Sequence, residues 1–304
     1  MKTDIYERVT ARIITDLEQG ERPWFKPWNA EHAAGRITRP LRHNGQPYRG
    51  INVVMLWSAA VAAGYTAPIW MTYRQAQELG AQVRKGETGS LVVFASTITR
   101  TGTDESSGQE VEEEIPFIKG YTVFNVEQID GLPAHFYTPA APRLDPVQRI
   151  AKAEAFFSAS GASIRHGGNM AFYSVTEDRV QMPPFETFKD AESYYVTLAH
   201  EVTHWTRHPS RLDRDFGRKR WGDEGYAMEE LVAELGAAFL SVDLDLTPEP
   251  RADHAAYIAH WLKVLKADKR AIFSAAAYAQ RAADYLSRLQ VQNQAEPMRE
   301  ARAA

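Results

Sequence analysis

Two histidines and a glutamate, His200-Glu201-Val202-Thr203-His204, stand at a spacing that can hold a metal ion. In a helix, residues i and i+4 share a face, so both imidazoles can reach one cation. Glu201 sits on the neighbouring edge, where it can hold a water. Zn²⁺ lowers the pKa of a bound water to about 7, and a glutamate beside it can take the proton as general base. Two ligands do not complete such a site, because a catalytic zinc takes three protein ligands and keeps an open position. The chain contains no cysteine, so the third ligand must be His, Asp or Glu. The run YAMEELVAELGAAFL (226–240) offers Glu229, Glu230 and Glu234 beside an apolar stripe of Met228, Leu231, Val232, Leu235 and Phe239. Glu230 is assigned as the metal ligand. Glu234, one turn on, is assigned to accept a hydrogen bond from a ligand histidine. Glu229 and Glu234 compete with Glu230 for the ligand role. His208 ranks below them, because Pro209 should end the helix before it.

A helix over about 190–207 must carry the two histidines, and a second over 226–244 the acids. Ahead of them, ASIRHGGNMAFYSVTEDRVQMPP reads as short strands: IRH, AFYSV and RVQM. The stretch AFYSVTEDRVQMPP is a candidate edge strand over which a peptide would lie, with Tyr173 or Tyr226 as candidate oxyanion donors. Further helices are expected at 151–161, 251–266 and 268–290. The Pro-rich segment PAHFYTPAAPRLDP marks a boundary. The reading is residues 1–130 as one domain, 131–145 as linker, 146–290 as a second domain and 291–304 as a polar tail. Helices, strands, then helices again indicate an α+β protein of two domains.

The N-terminal part has a different character. Helices are expected at 3–19, 51–65 and 71–83, the last with Thr72 as N-cap and Gly80 near its end. Strands are expected at 90–99 and 117–129, joined by a polar, acidic hairpin tip. The net charge of the 304 residues is −4, which alone argues against a nucleic-acid partner. Residues 22–100, however, carry ten cationic side chains against three acidic ones, +7, and the rest of the chain sums to −11. Trp24, Phe25, Trp28 and Tyr48 interleave with Arg22, Lys26, Arg36, Arg39, Arg42 and Arg49. A basic groove with aromatic platforms is how proteins hold single strands, each stacked base contributing about 1–3 kcal/mol. The candidate DNA-binding residues are Trp24, Lys26, Trp28, Arg42, Asn44, Tyr48, Arg49, Asn52, Arg74, Arg84 and Lys85. Trp57 lies in an apolar helix and is expected in the core. No run approaches the roughly 18 apolar residues of a membrane span, and the start MKTDIYERVTARIITDLEQG lacks the apolar region of a secretory signal. A cytoplasmic protein with no membrane partner is expected.

The runs YERVTARIITDLEQGERPWFKPW, YRGINVVMLW and WMTYRQAQELGAQVRKGETGSLVVF resemble the N-terminal domain of the ArdC antirestriction proteins, which TraC-type plasmid primases share. AHEVTHWTRHPSRLDRDFG, with YAMEELVAELGAAFL after it, resembles their zincin-like metallopeptidase domain. The resemblance spans about residues 3–290. It implies an N-terminal α+β single-stranded DNA-binding domain joined to a C-terminal zincin-like domain. Such proteins travel on mobile elements and protect incoming plasmid DNA from host restriction during conjugation. By the same resemblance His200 and His204 match metal ligands, Glu201 the catalytic glutamate and Glu230 the acidic ligand. The cofactor implied is Zn²⁺ or another divalent metal such as Mn²⁺. The partners are single-stranded DNA and a host restriction protein. The alternatives are a metallopeptidase that cleaves a restriction or DNA-bound protein, and a replication or primase-accessory module. No P-loop is found in the sequence, which weighs against the last.

Overall fold

The computed structural model describes residues 4–24, 38–103, 110–137, 146–217, 223–247 and 254–303. In chain order the N-terminal region holds α1 (Ile5–Glu18), β1 (Leu41–Arg42), α2 (Ile51–Ala63), β2 (Ile69–Met71), α3 (Tyr73–Glu78), β3 (Gln82–Val83), β4 (Ser90–Thr103), β5 (Glu110–Asn125) and β6 (Ile129–Asp130). The C-terminal region holds α4 (Pro146–Ser158), β7 (Ser163–His166), β8 (Phe172–Ser174), β9 (Arg179–Met182), α5 (Ala191–Trp205), α6 (Glu224–Leu244), α7 (His254–Ala267) and α8 (Ala271–Ala303). Among these, no helix is long and apolar enough to cross a membrane.

Local chemistry sets most of the boundaries. Asp4 caps α1 by accepting from the Tyr6 amide. Asp190 and Asp223 do the same for α5 and α6, accepting from Ser193 and Tyr226. Thr72 and Gln75 form a reciprocal capping box at α3. That helix is shorter than the pattern over 71–83 predicts. Gly80, at φ 74°, turns the chain out of the helix, and Gln82–Val83 then pair antiparallel with Asp130 and Ile129. The flanks of the acidic connector between the two long strands, 101–103 and 110–114, are strand where the sequence predicts a hairpin tip, and 104–109 lie outside the described residues. The β4–β5 ladder runs unbroken from Ser90↔Val123 to Thr103↔Glu110, because cross-strand amides need no apolar side chains to pair. The helix α8 likewise continues through the residues read as a polar tail.

The N-terminal sheet has the order β1-β2-β5-β4, with β1 and β2 parallel and the rest antiparallel. The C-terminal sheet has the order β7-β9-β8, which leaves β8 at an edge. The α6 helix is buried along nearly its whole length between α5, α7 and α8, as its near-continuous apolar sequence requires.

One apolar core joins the two regions. Val9, Ile13 and Leu17 of α1 and Val53, Leu56 and Trp57 of α2 belong to the same cluster as Leu231, Leu235 and Phe239 of α6 and Ala279 and Leu286 of α8. Trp57 lies edge-on to Phe239, in the core as expected. Arg39 grips the Asp243 carboxylate with two bonds of 2.8 and 2.7 Å, and Thr10 donates to the Lys269 carbonyl. A smaller cluster around Met71, Val126, Ile129 and Phe136 fills the far end of the N-terminal region.

The approach of α5 to α6 depends on Gly236. A Cβ there would stand 2.5 Å from Thr203 Cγ2 and 2.7 Å from its Oγ1. Thr203 is fully buried and lies on α5 between the two histidines. Gly236→Ala is expected to cost about 1–3 kcal/mol by overpacking, read as a lower urea midpoint at unchanged slope. A variant as stable as the parent would show that these helices can separate freely.

Candidate metal centre

The α5 helix places His200 and His204 on one face, as their spacing predicts, and α6 brings Glu230 opposite them. The Nε2 atoms of the two histidines are 3.2 Å apart. Glu230 Oε2 lies 3.5 Å from His200 Nε2, and its Oε1 3.6 Å from His204 Nε2. These three residues form the group whose ligand atoms converge. A tetrahedral ion with bonds of about 2.0–2.1 Å separates its ligand atoms by about 3.3 Å. The donor set therefore fits a divalent cation in both chemistry and spacing. All three residues are at or below 9% exposed.

Each histidine presents its other nitrogen to a carboxylate. His204 Nδ1 is 2.9 Å from Glu229 Oε1, and His200 Nδ1 is 3.7 Å from Glu234 Oε1. An acceptor on Nδ1 holds the proton there and leaves the Nε2 lone pair for a metal. Glu234 lies on the Nδ1 side of His200, beyond hydrogen-bond distance, and Glu229, a competitor for the ligand role, instead backs His204. Behind Glu229 is Arg214, whose side chain has no exposed surface. Its Nε and Nη2 bond Glu229 Oε2 and Oε1 at 2.8 and 2.7 Å, and its remaining donors reach Thr206 Oγ1 and the Thr203 carbonyl. A turn through Asp213, at φ 45°, folds Arg214 back under α5. Nothing in the run HPSRLDRDFG marks this arginine out, because its partners lie on two other elements.

The electrostatics of the cluster favour a cation. Burial alone would raise the Glu229 carboxyl, but Arg214 and then His204 outweigh it and hold it at about 2. Burial likewise opposes the ionised form of Glu230, and the two histidines overcome it, again to about 2. For His204, burial works against a proton, yet Glu230, Glu229 and Glu201 together raise its pKa.

Above the cluster opens a cleft of about 630 Å³. It is lined by His200, Glu201, His204 and Arg207 of the α5 segment, by Tyr226, Glu229, Glu230 and Tyr257, and by residues 169–173 with Val175. The wall is thus the edge strand β8 and its approach, while β9 is the central strand and lies behind it. Tyr226 is hydrogen-bonded to Glu230 and 3.2 Å from the Tyr257 hydroxyl, and burial and Glu230 push its pKa up. The Tyr173 hydroxyl is committed to Asp178 at 2.8 Å and accepts from Arg211, which removes it as an oxyanion donor. His208 lies past the end of α5, bonded to Ser210, and takes no part.

The N-terminal candidates fare differently. Trp24 is fully buried against Trp261, and Tyr48 is 7% exposed with the Arg42 guanidinium 5.4 Å from its ring centre. Neither ring has a face for a base, which corrects both assignments: large apolar rings gain more from the core than from display. The Asn52 amide is used twice on the Val93 backbone, at 2.8 Å each, a structural role that corrects its assignment too. Arg49 pairs with Asp284, and Arg74 with Glu78 at 2.9 Å. Arg84 pairs with Glu87 at 2.8 Å. Arg42, Asn44 and Lys85 are exposed. Lys26 and Trp28 lie outside the described residues. Among the described residues, exposed rings of this region include Tyr73, which precedes Arg74 in the same basic and aromatic run of the sequence, and Phe94 and Tyr121, which sequence reasoning missed, since alternation along a strand does not say which face will be covered.

A helix bearing two histidines over a glutamate from the next helix, under a cleft walled by an edge strand, defines a zincin-like metallopeptidase domain. Residues 151–278 match the family model of that description, and residues 3–124 match the N-terminal domain of anti-restriction factor ArdC. The chain belongs to the ArdC family of antirestriction proteins. It is 49% identical to the antirestriction ArdC protein from the R388 plasmid in a metal-free crystal structure, with a TM-score of 0.79, covering 95% of this chain and 98% of that one. A Mn(II)-bound structure of the R388 protein aligns with a TM-score of 0.78 at 48% identity, covering 94% and 98%. The uncharacterized protein y4eC of Sinorhizobium fredii is 48% identical over 93% of this chain and 92% of its own length. A DNA primase TraC of Escherichia coli is 40% identical over 94% of this chain, which spans 27% of that longer protein.

Proposed function

We propose that this protein binds single-stranded DNA and holds one divalent metal at His200, His204 and Glu230, and that it protects incoming plasmid DNA from host restriction during conjugation. It acts in the cytoplasm. The observation that carries the reading is the union, around one core, of an ArdC N-terminal domain with a buried His-His-Glu cluster at the floor of a cleft. Two imidazoles and a carboxylate suit zinc, with Mn²⁺ as the alternative. When bound, the ion supplies Lewis acidity. The chain supplies the rest. Glu229 and Glu234 fix the histidine tautomers, Glu201 accepts a proton in the cleft, and the Tyr226 phenol is placed to donate to a developing oxyanion. The backbone of β8 offers an edge to an extended peptide.

The exposed cations Arg42, Arg74, Arg84 and Lys85, with the rings of Tyr73, Phe94 and Tyr121, support a single-strand surface on the N-terminal domain. The full chain is expected to bind a fluorescent oligonucleotide at low salt and to release it as salt rises, because counterions compete for the phosphates. No binding at low salt would remove this role.

A second reading, cleavage of a restriction or DNA-bound protein, is favoured by the edge strand in the cleft. Glu201→Ala separates the two in a conjugation assay into a restricting host. Protection that survives the substitution supports action through DNA. Its loss, with fold and metal retained, moves the function to the peptidase. The TraC primases motivate a third, replication-accessory reading, for which the oligonucleotide assay with an added priming reaction is the check.

A further inference from the structure

The side chains that back the histidines do not all come from the C-terminal domain. Arg22, 8% exposed, places Nη1 3.5 Å from Glu234 Oε2, and the opposite oxygen of that carboxylate faces His200 Nδ1. Two residues on, Trp24 meets Trp261 edge-on at 5.6 Å. Trp261 stacks on Tyr257, and Tyr257 on Tyr226, whose hydroxyl bonds Glu230. One short stretch at the end of the first helical segment thus reaches the cluster by two routes, one ending on His200 and the other on Glu230.

The first route follows the same order of groups as at the other histidine, at longer distances: 3.7 Å from His200 Nδ1 to Glu234 and 3.5 Å from Glu234 to Arg22, against 2.9 Å and 2.7–2.8 Å there. His204 has Glu229 behind it and Arg214 behind that. His200 has Glu234 behind it and Arg22 behind that. A carboxylate as buried as Glu234, at 5% exposed, is directed by the cation beside it, and a histidine ligand is oriented by the carboxylate that faces it. At His204 the cation is supplied by the loop that follows the metal helix. At His200 it is supplied by the N-terminal domain.

We infer that Arg22 is a positioning residue of the metal centre: it holds Glu234 against His200, so the N-terminal domain completes a site whose ligands all belong to the other domain. The inference rests on the metal-site reading above. Metal affinity is then a property of both domains, and whatever displaces the Arg22 segment also loosens the metal.

The test is a Mn(II) titration of the metal-free full chain, followed by electron paramagnetic resonance of the free ion. The proteins are the parent, Arg22→Met, Arg22→Lys, Glu234→Gln and the Arg22→Met/Glu234→Gln double variant, each also unfolded in urea without metal. Arg22→Met is expected to bind Mn(II) about ten- to a hundredfold more weakly, and Arg22→Lys to recover most of that loss. The double variant is expected to bind no more weakly than Glu234→Gln alone, since Arg22 acts through that carboxylate. Affinity in Arg22→Met equal to the parent's, or losses that add in full, would overturn the inference. Should Arg22→Met fail to fold, Glu234→Gln decides: parental affinity there overturns it. A parent that takes up no Mn(II) defeats the metal reading itself, and a parent that binds alongside equally tight variants defeats only the role of Arg22.

Discussion

Arg214→Ala is expected to lower the stability of the metal-free protein by about 3–5 kcal/mol, the cost of leaving a buried charge without its partner. The side chain has no exposed surface, and it makes two bonds to Glu229 and one each to Thr206 and the Thr203 carbonyl. Alanine would leave Glu229, 2% exposed, with His204 as its remaining charged neighbour in this group. Arg214→Lys is not expected to rescue it, since an ammonium cannot match the two-pronged fit of the guanidinium to a carboxylate. The pH dependence has a defined sign. The folded Glu229 carboxyl, at about 2, lies below its ordinary value of 4.5. Its contribution is therefore complete above pH 4.5 and is lost as the pH falls from there toward 2. Urea unfolding at pH 7 and at pH 3 measures both effects. A variant within about 1 kcal/mol of the parent at pH 7 would show that the pair contributes little.

His204→Ala is expected to take the purified protein from about one bound divalent metal per chain to none after dialysis. The ion would lose one of three protein ligands, and Glu229 and Arg214 would lose the histidine they orient. The drop in affinity should exceed the ten- to hundredfold that loss of a partner behind a ligand costs. Elemental analysis of the dialysed protein decides it. His200→Ala is expected to behave alike, and a variant that retains a full equivalent would place the metal elsewhere. Because His204 lies amid three carboxylates whose charges raise its pKa, the alanine variant also concentrates negative charge, and its metal-free form is expected to be the less stable.

The two sites were unequally legible. His200, Glu201 and His204 come from one helix, and Glu230 and Glu234 from one turn of another, so helical period grouped them within each helix, and the need for a third ligand in a chain without cysteine joined the two groups. Local spacing likewise named the cap at Thr72 and three short strands, of which β8 lines the cleft. It failed where exposure had to be known. Trp24 and Tyr48 look like base platforms because they stand among arginines, yet both rings are spent on the core. Asn52 looks like a donor to DNA and is a brace for β4. The flanks of the acidic hairpin connector, 101–103 and 110–114, look like loop in the sequence because composition says nothing about backbone pairing.

What the chain determined by itself was whatever lies within a few residues of itself: the paired histidines, the glutamate between them, the acidic helix face, and, through the absence of cysteine, the restriction of a third ligand to His, Asp or Glu. Only the tertiary structure decided which glutamate does what. Glu230 turns to both Nε2 atoms, while Glu229 and Glu234 turn to the Nδ1 atoms, because Arg214 from a loop and Arg22 from the N-terminal domain pull on them. Such pairs join segments that the spacing of residues along the chain does not relate, and in a buried setting they set the direction of every carboxylate around the metal.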